Sequence, residues 1–164
     1  MVLADAFAEE EPKIFWEAAK SLGSIKGKKA VPRLIEALLS ASSVEKRVAA
    51  SYALGWIGDT RAFTYLESVI LDRRADPRLR GQVAEALGLL RDARAVEPLT
   101  ECIRDESPEV RFWSAYALGQ LGDVRALAAL KEVKATDHVV LPGWGKISDE
   151  AADAIEQIQV AKSG

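Results

Sequence analysis

Four copies of one short phrase run along this chain: Leu22-Gly23-Ser24-Ile25, Leu54-Gly55-Trp56-Ile57, Leu87-Gly88-Leu89-Leu90 and Leu118-Gly119-Gln120-Leu121. They recur at spacings of 32, 33 and 31 residues. A period in that range marks stacked supersecondary units, because one short helical pair cannot bury its apolar face alone. Each unit must therefore find its core against its neighbours, which rules out most other architectures for a chain of 164 residues.

Counting back from each repeat glycine reveals the first helix of every unit. Eleven residues before it stand Pro12, Val44, Pro77 and Pro108. The prolines follow Glu11, Asp76 and Ser107, and proline at the first helical position after a capping side chain is a helix start. Nine before the glycine come apolar Ile14, Leu79 and Val110. Just ahead of it come Ser21-Leu22, Ala53-Leu54, Ala86-Leu87 and Ala117-Leu118, which share one face at helical spacing. Small residues there let a neighbouring helix come close.

The corners read Gly58-Asp59, Arg91-Asp92 and Gly122-Asp123, with Gly27 at the Asp position of the first unit. Glycine suits the left-handed residue that ends a helix, and Asp can cap the next one. Second helices are predicted over 28–40, 60–72, 93–104 and 124–134, with apolar pairs Leu34-Leu38, Leu66-Ile70 and Leu99-Ile103. A further helix over 148–160 fits the template through Ile147, Ala154, Ile155 and Ile158, with Glu156 in place of the glycine. A polar residue there suits a terminal cap whose outer face meets water. The whole chain, 1–164, reads as one all-α repeat domain: a right-handed α-solenoid of units 12–40, 44–72, 77–104 and 108–134. A loop over 135–147 and the capping helix complete it.

The run from Pro108 to Ala126, Pro-x-Val-Arg…Tyr-Ala-Leu-Gly-x-Leu-Gly-Asp-x-Arg-Ala, resembles a HEAT repeat. It is most similar to the short HEAT-like repeat named after phycobilisome lyases. The resemblance covers residues 12 to 134 well and 147 to 160 weakly. It implies a fold more firmly than a function, since such arrays serve many roles.

Composition narrows the function classes. The chain is 49% apolar and 29% charged, with a net charge of −3 and a pI near 5.3. That balance argues against nucleic acid as a partner. No stretch approaches the length that crosses a bilayer, and the acidic N-terminus does not read as a signal peptide, so the expected compartment is the cytoplasm. One cysteine excludes an intrachain disulfide framework.

Two arginine columns stand out: Arg47, Arg80 and Arg111 eight residues before the glycine, and Arg61, Arg94 and Arg125 two after the corner Asp. Either could grip a polyanion, and Arg61, Arg94 and Arg125 would do so with Lys28, Lys29 and Arg33. Alternatively each bonds a corner Asp or loop carbonyls, forming the ladder that the resemblance implies. A carboxylate column, Glu36, Glu101 and Glu132 with Ser68 in the gap, reads as a solvated face rather than a metal or basic-peptide site. His138 has no Cys partner in sequence reach, so no metal and no cofactor are expected. HEAT-like deoxyhypusine hydroxylases build an iron site from His-Glu pairs on first helices. The matching positions here read Trp16-Glu17, Val48-Ala49, Gly81-Gln82 and Phe112-Trp113, so the resemblance implies no such site. Cys102 falls in an apolar column with Ala37, Val69 and Val133 and reads as packing, which leaves no catalytic residue.

Positions seven, six and three before the glycine and one after it vary between units, and six of these sixteen are aromatic: Trp16, Tyr52, Trp56, Phe112, Trp113 and Tyr116. Fixed positions hold a stack together, whereas variable ones are free to face a partner. The expected function is a non-catalytic scaffold or adaptor that binds another protein through this aromatic strip, with Phe112 and Val48 able to pack inward instead. The strip leaves a homodimer open. From the resemblance alone comes the alternative of a bilin lyase component or chaperone acting with a partner subunit. The loop Ala135 to Ile147 could insert Trp144 into a partner. The preferred reading tucks Val139, Val140, Leu141 and Trp144 over the open end of the last pair.

Overall fold

The computed structural model describes residues 12–163, with side chains described for 16–162. Every unit turns its corner on a residue in the left-handed region: Lys26, Gly58, Arg91 and Gly122, with φ of 50°, 70°, 54° and 70°. In three units the following Asp then caps the next turn. Asp59, Asp92 and Asp123 accept the backbone N–H of Arg61, Arg94 and Arg125 at 3.0, 3.0 and 2.9 Å. Each cap opens a short 3₁₀ turn, Thr60–Ala62, Ala93–Ala95 or Val124–Ala126, that leads straight into the second helix.

The first helices are α1 (Pro12–Ser24), α3 (Val44–Ile57), α5 (Pro77–Leu90) and α7 (Pro108–Leu121). The second helices are α2 (Val31–Ser40), α4 (Phe63–Leu71), α6 (Val96–Cys102) and α8 (Leu127–Thr136), and α9 (Ile147–Ser163) closes the array. First helices stack in series, α1 on α3, α5, α7 and α9, and each second helix packs beneath the first helix of the next unit. The protein is an all-α solenoid.

The repeat glycines explain how closely the layers approach. A Cβ on Gly55 would lie 2.7 Å from Ala86 Cα, and one on Gly88 or Gly119 would lie 2.9 Å from the Cα of Ala117 or Ala154. The glycine of one unit thus meets the small residue two places before the template position of the next. Only backbone without a side chain fits there. Around this seam Leu54, Leu87 and Leu118 are fully buried with Leu34, Leu38, Leu66, Ile70, Leu99 and Ile103 from the second helices. In α9 Ile147, Ala154 and Ile158 are buried while Glu156 faces water.

The arginine ladder is present. Arg61, Arg94 and Arg125 donate to their own corner Asp at 2.7, 2.6 and 2.7 Å. Each also reaches back one unit. Arg61 and Arg125 donate to the Lys28 and Ala93 carbonyls, and Arg94 stacks on the Phe63 ring with its guanidinium carbon 4.3 Å from the centroid. The other column works deeper. Arg80, 4% exposed, donates to the Ile70 carbonyl at 2.9 Å and to both oxygens of buried Asp105. Arg111 binds Asp137 and the Asp105 and Glu106 carbonyls, and Arg47 donates to the Leu38 carbonyl.

Several sequence expectations need correction. Ser107 places no side-chain cap on α7; its own N–H is drawn to Asp105, at 2.9 Å. Ser43 caps α3 by accepting from Lys46 N–H. Glu11 and the side chain of Ile14 lie outside the described residues. The loop before α9 holds a small hairpin, β1 (Val140–Leu141) antiparallel to β2 (Gly145–Lys146). Pro142-Gly143 makes its turn: Gly143 has φ of 83°, and Trp144 N–H donates to the Leu141 carbonyl at 3.0 Å, the pattern of a type II turn. The hairpin does not plug the end of the array. Val139, Val140 and Trp144 stay exposed, and only Leu141 packs on the core.

Candidate functional site

The variable columns of the first helices meet at a groove of about 670 Å³. Its walls are aromatic. On one side Trp16 from α1 meets Tyr52 from α3 edge-on, ring centres 5.7 Å apart. On the other, Trp113 from α7 meets Phe112 and Tyr116 edge-on, 5.5 Å from each. Edge-to-face geometry is the favoured arrangement for such rings, so each cluster holds its own shape.

Between the two clusters lies α5, where three of the four variable residues, Gly81, Gln82 and Glu85, are small or polar and the fourth, Leu89, lies outside the lining. Gly81 matters most. A Cβ there would come within 3.1 Å of Trp113 Cδ1 and 3.3 Å of Glu109 Cγ, so its missing side chain makes room for the neighbouring wall. The strip is therefore two aromatic clusters flanking a polar floor, not one continuous ribbon.

Five of the six expected aromatics line this groove. Trp16, Tyr52, Trp113 and Tyr116 are half-buried, whereas Phe112 is 4% exposed and supports the wall from behind. Trp56 lies beside Tyr52, centroids 6.0 Å apart, but outside the lining; it is 42% exposed. Ala49 and Gly81, also in variable columns, are buried.

The seventh aromatic comes from the hairpin. Trp144 stands 4.8 Å from Trp113, edge-on, and 6.4 Å from Phe112, yet stays 61% exposed. It extends the wall of the fourth unit. No template position pointed to it, because the hairpin lies outside the repeat.

Three carboxylates line the groove as well: Glu85, Glu109 and Glu150. Burial pushes all three pKa values up. Glu109 also feels the charge of Asp76, and Glu150, beside Asp153, is raised to about 7. Burial likewise raises Tyr116, with the charges of Glu85 and Glu150 adding to it. No described residue forms a salt bridge with any of the three. Gln82 donates to Glu85, and Arg78, the basic residue of the lining, pairs with Asp76 at 3.3 Å and Glu45 at 3.5 Å. A signal for these residues existed. Glu150 sits six places before Glu156, in the column of Gln82 and Trp113, and Arg78 and Glu109 both sit ten places before a repeat glycine.

Elsewhere, among the described residues, no three His, Cys, Asp or Glu side chains come together as a metal site. Cys102 is buried and its thiol is raised to about 11, which keeps it protonated. Glu36, Glu101 and Glu132 are exposed, the last two paired with Arg73 and Arg104. No described helix is long and apolar enough to cross a membrane.

The sequence matches the family described as HEAT repeats over residues 1–76 and 68–141. The chain belongs to the HEAT-repeat family. No curated protein matches it by sequence. Among solved structures, this HEAT-repeat chain is similar to the complex of CpcE and CpcF of phycocyanin lyase from Nostoc sp. PCC7120. That match has a TM-score of 0.75 and 21% identity, and covers 96% of this chain but 64% of that one. The HEAT array thus spans less than two thirds of the lyase chain. A designed armadillo repeat protein in complex with the peptide (KR)4 matches with a TM-score of 0.61 and 18% identity, over 95% of this chain and 80% of that one. An engineered protein matches with a TM-score of 0.60 and 20% identity, over 99% and 80%.

Proposed function

We propose that this chain is a non-catalytic interaction module whose partner protein docks in the groove between the two aromatic clusters. One observation carries the reading: aromatic side chains from three repeat units and the hairpin converge on a single groove while remaining partly open to water. Trp and Tyr are enriched where partners bury the centre of an interface, because they combine large apolar area with few rotatable bonds. The solenoid supplies a rigid wall, and the variable columns supply the chemistry. HEAT and armadillo arrays as a fold suit this scaffold role.

The test is affinity capture from native lysate with wild type beside a Trp113→Ala/Tyr116→Ala variant, both checked by circular dichroism. Trp144→Ala serves as a second variant, because its exposed ring can be removed with little cost to folding. A protein held by wild type and lost from both variants supports the reading. The same proteins on all three would refute it.

A second reading draws on the likeness to the phycocyanin lyase complex: a bilin lyase component that acts with a partner subunit. The groove volume and its aromatic walls favour a flat conjugated ligand. Addition of a bilin, followed by absorbance, separates the two, since an unshifted spectrum counts against a bilin site.

A further inference from the structure

We propose that the groove receives an arginine side chain from a basic segment of the docking partner. This deepens, and rests on, the reading of the groove as the partner site. Two independent features point to it. The walls offer ring faces and edges at Trp113, Tyr116 and Trp144 from one side and Tyr52 from the other, and a guanidinium is attracted to an aromatic face. The floor and rim offer Glu85, Glu109 and Glu150, none of them in a salt bridge with a described residue.

Charge complementarity decides the occupant. Three partly buried carboxylates facing one groove repel an acidic segment and leave an apolar one with desolvated charges that no cation meets. Arg78 offsets part of the charge at Glu109, but it is paired with Asp76 and Glu45 and makes no salt bridge with any of the three. An incoming guanidinium supplies what is missing. Its planar fork can donate two parallel hydrogen bonds to a carboxylate while its face lies on a ring, and lysine has no such plane. A basic partner also matches the net charge of −3.

The probe is a fluorescein-labelled octapeptide of alternating arginine and serine, with three twins carrying lysine, citrulline or glutamate in place of arginine. Citrulline keeps the shape and removes the charge. The arginine peptide should bind wild type more tightly than the lysine one, and the citrulline and glutamate twins should not bind. Glu85→Gln/Glu150→Gln, nearly isosteric and relieved of two disfavoured charges, should weaken the arginine peptide by at least about tenfold. Glu36→Gln/Glu156→Gln changes the charge equally at two exposed sites away from the groove and should bind as wild type. Equal binding of the arginine and citrulline peptides, equal loss in both double variants, or no binding of the arginine peptide would overturn the proposal. Capture from lysate separates this failure from failure of the docking reading. A partner lost from Trp113→Ala/Tyr116→Ala but kept by Glu85→Gln/Glu150→Gln leaves the groove as the site and removes arginine as its ligand.

Discussion

Helix α5 carries two glycines that should answer alanine substitution with opposite signs. In a helix interior, alanine is favoured over glycine by about 1 kcal/mol, so both substitutions begin with a gain. At Gly88 the new Cβ would lie 2.9 Å from Ala117 Cα, 3.0 Å from its Cβ and 3.3 Å from its carbonyl oxygen. These atoms are fixed to the backbone of α7 and cannot rotate away. Carbon contacts are comfortable at about 3.5–4.0 Å, so α5 and α7 must part locally by roughly 0.6 Å or more. A gap of that size forfeits a quarter or more of the dispersion energy of the contacts that flank it. Overpacking of this kind costs about 1–3 kcal/mol, and a rigid seam puts Gly88→Ala near the upper end. The net expectation is a loss of about 2 kcal/mol.

At Gly81 the nearest atoms are Trp113 Cδ1 at 3.1 Å and Glu109 Cγ at 3.3 Å, both side-chain atoms of half-buried residues. They need to yield by only a few tenths of an ångström, and as side-chain atoms they can rotate where backbone cannot. Gly81→Ala should therefore match wild type or exceed it by up to about 1 kcal/mol. For a chain of this length the difference between the variants corresponds to at least about 4–8 °C in Tm. Urea and thermal unfolding followed by helical circular dichroism measure both. If Gly88→Ala is as stable as Gly81→Ala, the close approach of α5 and α7 is not what the repeat glycine provides.

Asp105→Ala should cost about 3–5 kcal/mol in urea unfolding, because it strands the buried Arg80 guanidinium without its counter-charge. Arg94→Ala, at a pair whose arginine is 58% exposed, should move the urea midpoint far less than Asp105→Ala does. The pH profile should show two carboxylate effects of opposite sign. Hydrogen bonds from Arg61 hold Asp59 at about 2, below its unfolded value of about 3.8, so its contribution is present at neutral pH and lost as pH falls through 2. Burial raises Glu150 from 4.5 to about 7, so folding is favoured below pH 4.5 and that advantage is lost as pH rises through 7. Glu150→Gln should therefore match wild type in Tm at pH 4 and exceed it at pH 8. Equal Tm at both would mean that Glu150 is better hydrated than its surroundings imply.

The parts of this fold that could be read from sequence are those the repeat enforces. Gly55, Gly88 and Gly119 each meet an alanine one period away, so a rule seen once holds at three layers, with Gly23 meeting Trp56 at the first, and Asp59, Asp92 and Asp123 cap their turns for the same reason. Asp105 and Asp137 were not legible as partners of Arg80 and Arg111, because they sit in junctions between units, where sequence spacing does not fix which side chain meets which. Trp144 was harder still. Its path depends on a Pro142-Gly143 turn and on where the edge of α7 lies, both outside the repeat, and apolar content alone suggested burial where the ring instead extends an open wall.

What makes the groove is a deviation within the repeat. If the third unit carried rings at its variable positions as the fourth does, α5 would fill the space between Tyr52 and Trp113 and the array would present a flat aromatic face. Gly81, Gln82 and Glu85 instead leave a depression one unit wide with a carboxylate in its floor. Glycine at 81 also lets Trp113 Cδ1 stand 3.1 Å from where a Cβ would sit, which links the depth of the groove to the position of its wall. Gly81→Ala is for this reason more informative than its stability alone. It should leave the fold intact while moving Trp113 outward, and so should weaken partner capture in a protein that melts no earlier than wild type. Unchanged capture would place the contact on the outer faces of Trp144 and Tyr116, not in the depression beneath them.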